Sequence, residues 1–170
     1  MNPSIARHIL SEGCAILDRL GVRYWLSAGT ALGAYRDQLS DEFLTRDTDL
    51  DVGVLYQSHL HTIIKNYFEK NRFSVLRSYA IGQYPAQLAM IKKDIIFDIY
   101  FFVEEGEKLV NYNEYGKMIK PIKLINNMDT VLGYPVPSPI ENYLAIRYGK
   151  DWRTPKPKCD WKDQCANLVK

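Results

Sequence analysis

Thr45-Arg46-Asp47-Thr48-Asp49-Leu50-Asp51-Val52-Gly53-Val54 is the stretch that decides how the rest of this chain is read. Asp47, Asp49 and Asp51 alternate with Thr48, Leu50 and Val52. In an extended strand alternate side chains share a face, so three carboxylates line one side at intervals of roughly 6–7 Å. Leu50 and Val52 then point the other way, into a core. Such a row of acids repels itself unless a cation neutralises it. Hard oxygen ligands of this kind suit Mg²⁺ or Mn²⁺. The stretch therefore reads as a divalent-metal shelf for phosphoryl chemistry. Two other readings compete with it. A solvated acidic turn is opposed by the apolar interleaving and by Gly53-Val54. An EF-hand loop is rejected: counted from Asp47, position six is Val52 where glycine is required, and position twelve is Ser58 where glutamate is required.

Composition bounds the class. With 170 residues, one domain spanning 1–170 is expected, long enough to bury a core. An apolar fraction of 46% and a charged fraction of 25% are those of an ordinary globule. The net charge of +2, from 22 basic and 20 acidic residues, gives no charge-based case for nucleic acid as a partner. No stretch reaches the apolar length of a membrane span and no secretory h-region opens the chain, which leaves peripheral membrane contact as the one membrane association open. Cys14, Cys159 and Cys165 lack metal-site spacing and read as free thiols of a reducing cytoplasm, where the protein is expected.

In chain order, residues 3–20 show a helical stripe through Ile5, Ile9, Gly13, Ile16, Leu17 and Leu20, with Asn2 as cap and Gly21 as stop. Residues 24–27 form a short buried strand. Ala28-Gly29-Thr30-Ala31-Leu32-Gly33-Ala34-Tyr35-Arg36 reads as a strand-to-helix turn and a helix of small residues, matching neither the Walker A nor the dinucleotide pattern. A turn of this kind presents N–H groups, a hydroxyl and the positive helix end to a phosphate; a plain helix cap is the simpler reading. Residues 37–46 are expected as a surface loop. Leu60, Ile63, Ile64, Tyr67 and Phe68 mark a helix, on which His59 and His61 are two apart and do not converge on a metal. Residues 73–81, 87–91 and 95–102 read as strands, the last two as a hairpin turning at Lys92-Lys93-Asp94. Asp98 is the anomaly, a carboxylate amid Ile95-Ile96-Phe97 and Ile99-Tyr100-Phe101-Phe102. Either it faces solvent on an edge strand, or it is paired or ligates metal beside Asp49 and Asp51. Short strands are expected at 108–112 and 122–125, an extended proline-punctuated segment at 135–139, and a helix at 139–148. Residues 136–170 thus carry a C-terminal helix and an aromatic, basic tail, whose Tyr148 and Trp152 either wrap the surface or wall a cleft.

Taken together, residues 28–36, the run Arg46-Asp47-Thr48-Asp49-Leu50-Asp51-Val52-Gly53 and the terminal Tyr148-Gly149-Lys150-Asp151-Trp152 resemble the nucleotidyltransferase-fold superfamily, and more narrowly the LicD/fukutin-type phosphotransferases. The resemblance implies an α/β fold of polymerase-beta type, with a mixed sheet flanked by helices. It implies transfer of a phospho-alditol or phosphocholine group from a CDP-linked donor to a glycan hydroxyl. Asp49 and Asp51 would hold the metal on the donor diphosphate, and Asp98 would hold a second metal or act as base. Gly29 and Thr30 would contact phosphate, with Arg36 or Arg46 adding charge; Asp47 would be a ligand or an orienting group. Two other functions stay open. A nucleotidyltransferase would move an NMP from an NTP to a small molecule or protein, and a binding module would keep the fold without catalysis.

Overall fold

The computed structural model describes residues 1–82, 84–112, 118–123 and 126–155. Cys159, Cys165, residues 124–125 of the expected strand at 122–125, and the tail beyond 155 lie outside the described residues. The chain is a mixed α/β structure: a twisted sheet carrying helices on both faces, and a separate hairpin.

Helix α1, Pro3–Arg19, starts where the Asn2 carboxamide accepts from the Ile5 N–H at 3.1 Å, and it stops before Gly21 at φ +64°. Strand β1, Tyr24–Leu26, is buried throughout and leads into α2, Ala28–Asp37. Residues 37–46 are not the expected loop, because Asp41–Arg46 form the short helix α3. Ser40 Oγ accepts from the Phe43 N–H, Asp41 and Glu42 sit on the positive helix end, and Leu44 is buried. The small residues of α2 make room for this helix. A Cβ at Gly33 would meet the Phe43 ring at 2.1 Å.

Strand β2 is Asp49–Leu55, α4 is Leu60–Lys70, β3 is Ser74–Ile81, β4 is Tyr84–Lys92 and β5 is Ile95–Glu105. Their order in the sheet is β1-β2-β5-β4-β3. Among these described strands β2 and β5 pair in parallel, and the other neighbours are antiparallel. The β4–β5 hairpin turns through Lys93 and Asp94, both at positive φ, as a tight hairpin turn requires. Strands β6, Lys108–Tyr112, and β7, Met118–Lys123, extend the sheet from the end of β5. A second hairpin, β8 at Met128–Val131 with β9 at Tyr134–Pro137, accounts for the proline-punctuated stretch and contacts β1. Helix α5, Ile140–Tyr148, follows it.

One face of the sheet, with Leu50, Val52, Phe97, Ile99, Leu88 and Met90, is closed by α1 and α4. A Cβ at Gly13 would lie 2.5 Å from the Phe97 ring, so that glycine sets how closely α1 approaches. Phe68 and Phe73 meet there edge to face, with ring centroids 4.9 Å apart. The opposite face carries the acids, with α2 against β2 and α5 against α2. Among the described residues no helix is long and apolar enough to cross a membrane.

Candidate active site

The parallel register of β2 on β5 aligns Asp51 with Asp98 and Asp49 with Ile96. Paired residues in a parallel ladder project to the same face, and so do residues two apart. Asp49, Asp51 and Asp98 therefore emerge together. One carboxyl oxygen from each lies within 4.8 Å of the others.

Asp51 is clamped by the turn that precedes α2. Its N–H donates to Thr30 Oγ1 at 2.7 Å, its carbonyl accepts from the Ser27 N–H at 3.0 Å, and its Oδ2 accepts from the Gly29 N–H at 3.1 Å. That turn is held from α5. The Tyr143 hydroxyl accepts from the Ala28 N–H at 2.9 Å and shares a hydrogen bond of 3.0 Å with Ser27 Oγ. Ala28 sits at φ +40°, a conformation that L residues avoid and that these contacts hold in place. Gly29 leaves the space over the acids open: a Cβ there would be 3.4 Å from both Asp47 Oδ2 and Asp51 Oδ2.

Asp98 is fully buried, and its Oδ2 accepts from Arg77 Nη2 at 2.8 Å. Arg77 on β3 pairs with Ala89 on β4, which pairs with Asp98. The guanidinium reaches its partner across that small side chain. Oδ1 of Asp98 is buried with no hydrogen-bond partner among the described residues.

The electrostatics follow from this crowding. Burial, then Asp49, Asp98 and Asp47, push the Asp51 carboxyl well above the usual carboxylate range. Burial also raises Asp98, to about 7, with Arg77 pulling in the opposite direction. Burial and the nearby charge of Asp51 raise the hydroxyl of Tyr100, and burial, Tyr143 and Asp51 raise that of Tyr148. Three converging carboxylates with an orphaned buried oxygen make an all-oxygen donor set that fits a hard divalent cation, so the triad could hold a metal.

Of the residues expected at the site, Asp47, Asp49, Asp51, Asp98, Gly29 and Thr30 are brought together, with Tyr148 within electrostatic reach of Asp51 and Asp47. Thr30 is fully buried and its hydroxyl accepts from Asp51, an orienting contact. Arg36 and Trp152 engage one another. Arg36 pairs with Asp37 and donates to the Trp152 carbonyl at 3.1 Å, while the Trp152 ring is 4% exposed and packs 5.8 Å from Tyr35. Arg46 is exposed on α3, in an ion pair with Glu42. Sequence reasoning missed Arg77, Tyr143 and Ser27. A β-bulge between Val75 and Arg77 upsets the alternation that would have shown Arg77's face. Tyr143 lies 116 residues from Ser27.

Residues 21–132 match the family model described as LicD/FKTN/FKRP, nucleotidyltransferase domain. The ribitol-5-phosphate transferase FKTN of Macaca fascicularis is 28% identical over 173 residues, and that of Homo sapiens 27%. Each alignment takes in 96% of this chain but 36% of the relative, so the chain spans about a third of the length of these transferases. An uncharacterised protein of Rickettsia typhi is 27% identical over 110 residues, covering 63% of this chain and 32% of its own length. Among solved structures, ANT(2")-Ia in complex with adenylyl-2"-tobramycin aligns with a TM-score of 0.48 at 12% identity, over 76% of this chain and 66% of that one. With more than half of its residues matched by the family model, the chain belongs to the LicD/FKTN/FKRP family, as its nucleotidyltransferase domain.

Proposed function

We propose that this domain is a divalent-metal-dependent phosphotransferase that moves a phospho-alditol or phosphocholine group from a CDP-linked donor to a hydroxyl of a glycan. The observation that carries this reading is the convergence of Asp49, Asp51 and Asp98 in front of the Gly29 turn, in a chain of this family. The printed activity of its FKTN relatives, ribitol-5-phosphate transfer, supports the choice of group.

Asp49, Asp51 and Asp98 would hold Mg²⁺ or Mn²⁺, with Asp47 beside them as a further ligand or an orienting group. When bound, the ion supplies positive charge that lets an anionic diphosphate approach anionic carboxylates. The chain does the rest. Gly29 leaves the space over Asp47 and Asp51 into which a donor phosphate fits, and the N-terminal end of α2 faces that space. Thr30, Ser27 and Tyr143 keep Asp51 in register. Tyr148, partly buried beside the acids, borders the donor, and exposed Arg46 meets its charge from α3. Arg36 and Trp152 latch the segment after α5 onto α2, and in this reading they support the site without touching substrate.

In the transfer, the acceptor oxygen bonds to the phosphorus that carries the alditol or choline. The bond from that phosphorus to the bridging oxygen breaks, CMP departs, and the acceptor proton passes to a carboxylate of the triad and on to solvent. The reading takes residues 1–170 as one domain in a reducing cytoplasm. The test is a panel of nucleotide-linked donors with glycan acceptors and Mg²⁺ or Mn²⁺, products identified by mass. CMP release with gain of the phospho-group on the acceptor supports the reading. Pyrophosphate release from an NTP with an NMP left on the acceptor overturns it in favour of nucleotidyl transfer. A metal titration that shows no binding would favour a non-catalytic binding module.

A further inference from the structure

Arg147 takes no part in the function proposed above, and its surroundings leave its charge unanswered. It lies on α5 one turn after Tyr143, on the helix face that also buries Ile140 and Leu144. The residue is 8% exposed, with its guanidinium carbon 5.8 Å from the centre of the Phe102 ring and 5.7 Å from that of Tyr143. A guanidinium stays charged at any working pH. Arg7, Arg36, Arg46, Arg77 and Arg153 are all less buried, and each pairs with a carboxylate. Among the described residues no carboxylate comes within ion-pair distance of Arg147, and its buried Nε–H has no acceptor. Two aromatic faces recover only part of what it costs to take a charge out of water.

A second unanswered donor flanks the same ring. The Trp25 ring centre is 5.2 Å from that of Phe102, and among the described residues its buried Nε1–H has no acceptor. Gly53 makes room for it. A Cβ there would meet Trp25 Cε2 and Nε1 at 2.4 Å, so this edge of the indole covers β2 on the face that carries Asp49 and Asp51. Phe102, four residues beyond Asp98 on β5, shares that face. The place adjoins the acids. The Tyr148 hydroxyl lies within electrostatic reach of Arg147, Asp51 and Asp47 alike, and Tyr143, whose ring faces Arg147, holds the turn that clamps Asp51.

A fixed positive charge and two N–H donors with nothing to accept from them complement an oxyanion, and the guanidinium fork matches the spacing of phosphate oxygens. We propose that Arg147 and the Trp25 indole N–H form a phosphate-binding subsite beside Phe102, beyond the triad along β5. The subsite uses none of the acids and no ion; it rests on the phosphotransferase reading only in the choice of phosphate among oxyanions.

The test is titration of the ¹⁵N-labelled full chain with inorganic phosphate in EDTA, following Arg147 Nε–H and Trp25 Nε1–H by NMR beside thermal melts. Both resonances are expected to move downfield with one shared Kd, and phosphate at about ten times that Kd should raise the melting temperature by about 3 °C. Arg147→Met, checked for folding by circular dichroism, should show neither effect. Should it not fold, Arg147→Lys, which keeps the charge without the fork, should bind phosphate about tenfold more weakly. A further arm with CDP-ribitol and Mg²⁺ identifies the carrier. If the donor itself moves the two resonances, the phosphate is the donor's; if added phosphate still moves them with the donor bound, it is the acceptor's, and either result supports the subsite. Resonances that stay unmoved, movement of one without the other, or an equal phosphate response in Arg147→Met or Arg147→Lys overturns the proposal. With no ion present in the phosphate titration, that failure leaves metal dependence standing.

Discussion

Asp98→Asn in the metal-free protein is expected to raise stability at neutral pH, although it removes one half of a buried ion pair. The native carboxyl is raised from the ordinary 3.8 to about 7, by burial first, and against the opposing pull of Arg77. A carboxyl whose folded value lies above its unfolded value favours the folded state fully at pH below 3.8, and that contribution is lost as the pH climbs through 7. At about 1.4 kcal/mol per pH unit, the gap corresponds to about 4 kcal/mol missing at pH 8. Asparagine imitates the protonated acid and carries no such dependence. Its carbonyl still accepts from Arg77, with the loss of roughly 1–2 kcal/mol that separates a charge-assisted from a neutral acceptor. The net expectation at pH 8 in chelator is a variant about 2–3 kcal/mol more stable than wild type, converging with it near pH 4.5. Urea denaturation followed by tryptophan fluorescence, from pH 4.5 to 8.5 with EDTA, measures the difference. Taking the difference between the two proteins cancels the titrating groups remote from the triad, while relief of Asp51 from the charge of Asp98 adds to the gain at high pH. Saturating Mn²⁺ should then reverse the order, since the ion stabilises the intact triad. A variant less stable than wild type at pH 8 in EDTA, with a difference that does not change with pH, would refute the argument.

Gly29→Ala should fold, because its Cβ would lie at 3.4 Å from Asp47 Oδ2 and Asp51 Oδ2, at the edge of ordinary contact. It should lower kcat/KM for the CDP-linked donor at least about tenfold by filling the space over the acids, read from initial rates beside an unchanged melting curve. Tyr143→Phe leaves the buried Ser27 hydroxyl and the Ala28 N–H without their partner and should cost about 1–3 kcal/mol in chemical denaturation. Trp152→Ala should cost about 3–5 kcal/mol and leave the donor Kd within about threefold in the folded fraction, since the ring packs on Tyr35. Calorimetry with CDP-ribitol, run beside the melt, separates that outcome from a donor-binding role for the ring.

Much of the site was legible along the chain because its two halves obey local rules. Alternation of Asp49 and Asp51 with Leu50 and Val52 reports a strand with one acid face and one core face, whatever lies beside it. Asp98 betrays itself as a lone carboxylate in an apolar run, and Lys93-Asp94 between apolar strands marks the β4–β5 hairpin. The helical stripes of α1 and α4 follow equally from spacing. What local periodicity does not contain is the relation between strands. The β2–β5 register that sets Asp51 opposite Asp98 joins residues 47 positions apart and is decided by how the apolar faces pack under α1 and α4. Arg77 reaches Asp98 only through a third strand whose bulge reverses the parity that counting assumes. Residues 37–46 look like a polar loop until Gly33 is seen to make room for Phe43, which draws α3 onto α2. For Trp152 the sequence leaves a surface wrap and a cleft wall both open; the ring leaves water by packing against Tyr35 on α2. Residue spacing along the chain is enough to mark the acids as one polar face; which of them meet, and what holds them, depends on strand register and distant packing, which are fixed by burial over the whole core.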